Sequence, residues 1–303
     1  MTRHNFAVRR PPRRCGSCCF GVALVFLISN LWGVRTTVAQ DPVADTSFSI
    51  NRGFFENPFS VEITTLTSGA TIKYTTDGSR PSPTHGQSYT APIPISQTTV
   101  LRAMAYKTGM LPTNIDTHTY IFPDQVIRQP ENIAGWPNNY YWVGGSGNDD
   151  ARHDYEMDPA IVDDPKWSGR MIAAMKAIPS LSIVMDKGEF WQTYDGGEEN
   201  PCSVEIIYPY DPQENEQTDG GLVPHSHLRL KRSMRLHFKR EYGDPKFSSR
   251  IFRNAPLNDD TAASRYDRIV LRAGNNRSWA RIFNDDRIAY TRDQWYRDTQ
   301  VAL

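Results

Sequence analysis

The chain has 303 residues, of which 39% are hydrophobic and 11% aromatic, so it can form one large or two ordinary domains with a buried core. It carries 34 basic and 34 acidic residues, but six of the arginines lie in the first forty residues. The remainder has 28 basic residues against 34 acidic ones, a net charge of −6. An acidic chain is a poor candidate for general nucleic-acid binding, and we expect no nucleic-acid partner.

Residues 1–39 have the pattern of a secretory signal peptide. A basic stretch through Arg14 precedes an apolar run from Cys19 to Val34 and a small-residue site that ends at Ala39. We therefore predict cleavage after Ala39 and a secreted, extracytoplasmic protein with no membrane span after cleavage. The alternative is an uncleaved membrane anchor, although the run is shorter than the roughly 20 apolar residues of a typical spanning helix.

Only Cys202, of the four cysteines, follows this segment. The predicted mature chain therefore has neither an intrachain disulfide nor a cysteine-rich zinc site. We predict no metal site within this chain.

Residues 46–122 predict a small β-sandwich. This stretch is rich in threonine, serine, valine, isoleucine and tyrosine, and apolar residues alternate with polar ones, for example around Val61 and Ile63. Asp77 and Gly78 form a hairpin-type turn. We expect Asp77 to hold that turn and not to bind a ligand.

Four segments of this stretch carry a family resemblance. They are Ala70-Thr-Ile-Lys-Tyr-Thr-Thr-Asp-Gly-Ser-Arg-Pro81, Tyr89-Thr-Ala-Pro-Ile-Pro-Ile95, Leu101-Arg-Ala-Met-Ala105 and Thr119-Tyr-Ile-Phe122. Together they resemble the chitobiase/beta-hexosaminidase C-terminal-type repeat. The resemblance implies an immunoglobulin-like sandwich of the kind appended to secreted enzymes.

Residues 123–177 are predicted to be a connector with one helix. Apolar residues recur at helical spacing from Trp167 to Ile178, and Pro179 stops the pattern. The connector also holds Trp136 and a short aromatic run at 140–142. These aromatic side chains could stack on sugar rings, or they could pin the connector to the face of a domain.

A long basic strand is predicted from His227 to Lys239. Period-two alternation sends its apolar residues into a core and its cations to the opposite face. The apolar set is Leu228, Leu230, Met234, Leu236 and Phe238, and the polar set is Arg229, Lys231, Ser233, Arg235, His237 and Lys239. The cations could meet phosphate, a carboxylate-rich partner, or only water.

Three more strands are predicted around this one, at Leu181–Met185, Cys202–Tyr208 and Tyr266–Ala273. A capping-box pattern at Thr291 opens a final helix that reaches Leu303 without a C-cap. We therefore expect the sequence to be truncated within a domain.

A second resemblance covers residues 178–303. Its motifs occur in order at Pro179–Asp186, Pro201–Ile207, Lys231–Phe238, Glu241–Gly243, Asp267–Gly274 and Tyr290–Asp298. They are similar to the N-terminal half of the CotH (spore-coat protein H) kinase-like family. Secreted bacterial members of that family are often multidomain.

This resemblance implies a protein-kinase-like fold that transfers phosphoryl groups from ATP, with Mg or Mn as the metal. Lys231 would contact phosphate, supported by Arg229 and Arg235, whereas the catalytic and metal-binding acids are expected beyond Leu303. The alternative for Lys231 is an exposed strand cation without a ligand. The glycine-rich approach to that strand in relatives is reduced here to Gly220-Gly221, which argues against a backbone cradle for phosphate.

The predicted fold class is α+β, with an N-terminal immunoglobulin-like β-sandwich followed by a partial, β-rich atypical kinase-like domain. The predicted function is ATP-dependent phosphorylation of secreted or cell-surface proteins by the full-length protein. The alternative is a non-catalytic cell-surface or adhesion protein that binds polysaccharide or an acidic partner.

Overall fold

The computed structural model describes residues 40–136, 155–225, 233–251 and 263–272. The predicted signal peptide, the aromatic run at 140–142, the final helix, Arg229 and Lys231 lie outside these ranges. Within them, β-strands dominate and helices are few and short. None of the helices in these four ranges has the length and hydrophobicity to cross a membrane.

The N-terminal domain consists of short strands, as the sequence predicts. They are β1 Thr46–Phe48, β2 Gly53–Phe54, β3 Phe59–Val61, β4 Ile63–Thr65, β5 Thr71–Thr75, β6 Gln87–Ser88, β7 Ile93–Ile95, β8 Thr99–Tyr106 and β9 Asp116–Ile121. One sheet has the order β2-β9-β8-β5-β6, and β1-β4 and β3-β7 form two-stranded pairs. This arrangement is consistent with an immunoglobulin-like sandwich.

The core of the sandwich lies between these strands and includes Leu101, Ala103 and Tyr120. On the other face of β8 and β9, Arg102, Thr117 and Thr119 are also buried. Alternation alone predicts that polar residues of this kind meet water. Here they are covered by the second domain, so the central strands of the sandwich are buried on both faces.

Three short helices follow the sandwich: α1 Pro123–Val126, α2 Pro159–Val162 and α3 Ser168–Met175. The sequence predicted only α3, because α1 and α2 are too short to show helical periodicity. Pro stands at the first position of both α1 and α2, and the Asp158 carboxylate caps α2 by accepting from the amide of Ala160.

The second domain is built on one antiparallel sheet. Its strands are β10 Ser180–Val184, β11 Asn200–Ile207, β12 Glu216–Pro224, β13 Met234–His237 and β16 Arg268–Leu271, in the order β10-β11-β12-β13-β16. β14 Phe247–Ser248 pairs with β15 Arg265–Tyr266. Between β10 and β11 lie α4 Lys187–Trp191 and a π-helical turn, Gln192–Gly196, and a 3₁₀ turn, Pro212–Glu214, precedes β12.

The two faces of this sheet differ in chemistry. One face packs a core that includes Cys202, Val204, Leu222, Leu236 and Phe238. Residues opposite one another in an antiparallel register share a face. The register therefore places Ser182, Glu205, Gln217, Gly221, Arg235 and His237 on the other, polar face.

Candidate functional site

The cations at the end of the basic strand meet a carboxylate of the same chain. Met234 and Leu236 turn to the core, as predicted, and His237 and Lys239 reach Glu199, which immediately precedes β11. The Glu199 carboxylate lies 2.7 Å from Nδ1 of His237 and 2.6 Å from Nζ of Lys239, and it accepts from the Tyr242 hydroxyl at 3.1 Å. This end of the cationic row is therefore neutralised within the domain.

The hydrogen bonds around Glu199 set its charge state. Burial raises the pKa of the Glu199 carboxyl, but the hydrogen bonds from Lys239, His237 and Tyr242 outweigh it and hold that pKa below its usual value. The hydrogen bond to Glu199 also raises the pKa of Lys239. Glu199 is therefore an anion that fixes the cations around it.

Gly221 is explained by the same cluster. A Cβ atom at this position would lie 2.5 Å from Oε1 of Glu199 and 2.7 Å from the ring of Tyr242. Only glycine lets both side chains close over the strand. Gly220 and Gly221 are paired within β12, opposite Cys202 and Pro201, so they are strand residues and not a phosphate-binding loop.

Arg235 is the one predicted phosphate-contacting residue that the structure describes. It lies in β13 opposite Val223 on one side and Val270 on the other, and its side chain is half-buried. Its Nε is buried and has no hydrogen-bond partner among the described residues. Arg229 and Lys231 lie outside the described ranges, so their predicted roles stay predictions.

The other end of the polar face contacts the sandwich through Glu205. This side chain is fully buried, and its Oε1 lies 2.8 Å from Nε of Arg52. The backbone amide of Thr119 donates to Oε1 at 3.1 Å, and the Thr119 hydroxyl donates to Oε2. Burial raises the pKa of Glu205, whereas Arg52 and Thr119 lower it. A buried ion pair thus joins the sandwich to the sheet.

The Asp77–Gly78 turn of the sandwich makes a second contact. Oδ1 of Asp77 accepts from the amide and hydroxyl of Ser79, at 3.0 and 2.5 Å, and therefore holds the turn as expected. Nη1 of the buried Arg102 donates to the Gly78 carbonyl at 2.8 Å. A Cβ at Gly78 would lie 3.2 Å from the Met185 carbonyl, so the turn packs directly against the second domain.

No group of three or more histidine, cysteine, aspartate or glutamate side chains that could hold a metal ion occurs in the described ranges. His225 is exposed just after β12. Cys202 is buried in the core of the second domain, and burial raises the pKa of its thiol to about 12.

Sequence reasoning missed Glu199, Glu205 and Arg52. Glu205 carried a readable signal, because an acid inside the apolar strand Cys202–Ile207 must find a partner when buried. Glu199 and Arg52 lie in loops among many other charges and gave no such signal.

The fold defines a β-rich protein whose immunoglobulin-like sandwich packs against a five-stranded antiparallel sheet. A family model for the chitobiase/beta-hexosaminidase C-terminal domain matches residues 50–117, which make up most of the sandwich. No curated protein and no solved structure matches the chain. The resemblance of the second domain to the CotH family therefore remains a hypothesis.

Proposed function

We propose that the full-length protein is a secreted, CotH-like atypical kinase that phosphorylates secreted or cell-surface proteins with ATP and Mg or Mn. The second domain of this chain would contribute to binding the phosphates. The proposal rests on the motif resemblance of residues 178–303 and on one geometric observation: within the part of the chain that the structure describes, the Nε of Arg235 has no hydrogen-bond partner.

Arg235 is suited to phosphate because guanidinium binds anions through several directed N–H groups. The Nε of Arg235 is buried without a hydrogen-bond partner among the described residues, an unfavourable state that a bound phosphate would relieve. The neighbouring cations are different, because Glu199 already binds His237 and Lys239. The phosphate site would therefore lie on the N-terminal side of His237, toward Arg235, Lys231 and Arg229.

The same geometry weighs against the alternative function in which an acidic protein partner binds the cationic strand. Such a partner would have to displace Glu199 from His237 and Lys239, and Glu199 has the entropic advantage of a contact within one chain. On the cationic face of the predicted strand, an external anion would therefore bind on the N-terminal side of His237.

Substituting Lys231→Ala is expected to weaken binding of Mg-ATP about tenfold without lowering the thermal unfolding midpoint, because the loss of one phosphate contact is worth about 1.4 kcal/mol. Isothermal titration calorimetry and a thermal melt measure the two quantities. Lys246→Ala is the matched control, since Lys246 is a half-buried lysine of the same domain that pairs with Asp267. Equal ATP affinity of the Lys231 variant and the wild-type chain would remove Lys231 from the site.

A further inference from the structure

A cavity lies between the sandwich and the second domain. Its volume is about 840 Å³, within the roughly 300–1,000 Å³ of ligand cavities in proteins. The sandwich contributes the turn at Asp77 and the segment Pro94–Val100, and the second domain contributes β10 and Phe190 of α4. Contacts between domains are common places for ligand binding.

The lining of this cavity excludes phosphate as its ligand. No lysine, arginine or histidine occurs among the described residues that line it, and Asp77 supplies a negative charge. A triphosphate would meet a carboxylate and no compensating cation. The cavity is therefore distinct from the proposed phosphate site at Arg235.

The polar groups of the lining are uncharged apart from Asp77. Ser96, Gln97 and Thr98 form an exposed polar edge on the sandwich side, and Ser182 lies on the opposite wall. Hydroxyl and amide groups both donate and accept hydrogen bonds, and they match the hydroxyl groups of a neutral sugar. The Gln97 side chain is exposed and is available for such a contact.

Trp136 supplies the aromatic surface that a sugar ring needs. Its side chain contacts Phe190 and Trp191, with ring centroids 5.6 and 5.8 Å apart, and the Lys187 ammonium lies 5.5 Å from its ring. These contacts pin the connector to α4, yet Trp136 remains 37% exposed and lines the cavity. An indole held in place by its neighbours binds with little loss of side-chain entropy.

We propose that this cavity binds a neutral oligosaccharide built from β-1,4-linked pyranose units. In such sugars the ring substituents are equatorial, so one face presents C–H groups to an aromatic ring while the edge presents hydroxyl groups to polar side chains. Trp136 would stack on one ring, and Gln97 and Ser96 would hydrogen-bond its hydroxyl groups. The proposal does not depend on the phosphate site.

The test is a calorimetric titration of the full chain with cellotriose and with the β-1,4-linked trimer of N-acetylglucosamine. We expect saturable binding of at least one trimer, weakened about tenfold or more by Trp136→Ala and several-fold by Gln97→Ala. Trp167→Ala is the matched control, because Trp167 is 36% exposed and does not line the cavity, and this variant should bind as the wild type does.

Gln97→Ala distinguishes loss of binding from loss of folding. The Gln97 side chain is exposed, so the thermal unfolding midpoint of this variant should equal that of the wild type. Absence of saturable binding of both trimers would overturn the proposal. So would binding that Trp136→Ala and Gln97→Ala leave unchanged. Lys231→Ala should not alter binding of the trimer, which separates this proposal from the proposed kinase function.

Discussion

Substituting Arg52→Met is expected to destabilise the described fold by about 3–5 kcal/mol at neutral pH, because it leaves the Glu205 carboxylate buried without a cation. Glu205 is fully buried, and the Arg52 side chain is 13% exposed. Arg52 also donates from Nη2 to the Thr117 carbonyl at 2.9 Å, so the substitution removes a second interaction. Chemical denaturation of wild type and variant measures the difference in unfolding free energy.

The pH dependence and a second substitution identify the cause. Burial raises the pKa of Glu205, so the variant should regain stability as the pH is lowered and the carboxyl becomes neutral. The double variant Arg52→Met with Glu205→Gln should likewise recover much of the loss, since neither charge is then buried alone.

A matched surface pair provides the control. Nζ of Lys176 lies 2.7 Å from Oε1 of Glu56, but the Glu56 side chain is 75% exposed. Glu56→Gln should cost much less stability than Arg52→Met, because solvent screens this exposed pair. Equal losses for Arg52→Met and Glu56→Gln would contradict a buried, uncompensated charge at the contact between sandwich and sheet.

His118 is expected to make the sandwich sensitive to acid. Burial, together with the nearby charge of Arg52, lowers the pKa of His118 to about 3. Nδ1 of His118 accepts from the Arg52 amide at 3.1 Å, and its ring stacks on Phe48 at 4.1 Å. Between pH 6.5 and 3 the unfolded chain binds a proton that the native state refuses, so stability falls as the pH falls. From pH 7 to 4 this amounts to roughly 3 kcal/mol.

Asp116 acts in the opposite sense over part of this range. Burial raises the pKa of its carboxyl to about 6, so between pH 6 and 4 the native state holds a proton that the unfolded chain releases. Its contribution is therefore present at low pH and lost as the pH rises through 6, and partial exposure limits it to about 1–2 kcal/mol. The two effects partly cancel in the wild type.

Single substitutions separate the two groups. His118→Asn keeps a hydrogen-bond acceptor near the Arg52 amide and removes the titrating ring, so this variant should lose less stability than wild type from pH 7 to 4. Asp116→Asn should lose more. Thermal melts at pH 7, 5.5 and 4 measure both slopes, and parallel slopes for the two variants and the wild type would contradict the assignment to His118 and Asp116.

The sequence predicted the elements more accurately than it predicted the contacts between them. Apolar runs located β10 and β11 within two residues, and alternating residues located the described part of β13, because a half-buried strand requires an apolar residue at every second position. It did not locate β12, Glu216–Pro224, whose glycines and charges do not alternate. The structure explains the glycine at position 221, because the Glu199 side chain occupies the space that a Cβ atom at this position would fill.

The candidate sites depend on contacts between residues that are distant in sequence. Arg52 and Glu205 are 153 positions apart, and Glu199 meets Lys239 across the strand β12. No local pattern encodes such a pairing, because a loop charge looks the same whether its partner is water or a buried acid. The sequence did show that basic residues share one face of this strand, but not that a carboxylate of the same chain binds His237 and Lys239.

The proposed phosphate site is tested most directly by Arg235→Gln, with Mg-ATP affinity and stability measured on the same sample. Because the Arg235 Nε has no partner among the described residues, its removal should leave the unfolding free energy unchanged or slightly higher. The affinity for Mg-ATP should fall about tenfold, as expected for the loss of a charged contact to phosphate. A variant that loses stability but binds Mg-ATP as the wild type does would show that this arginine supports the sheet and does not bind a nucleotide.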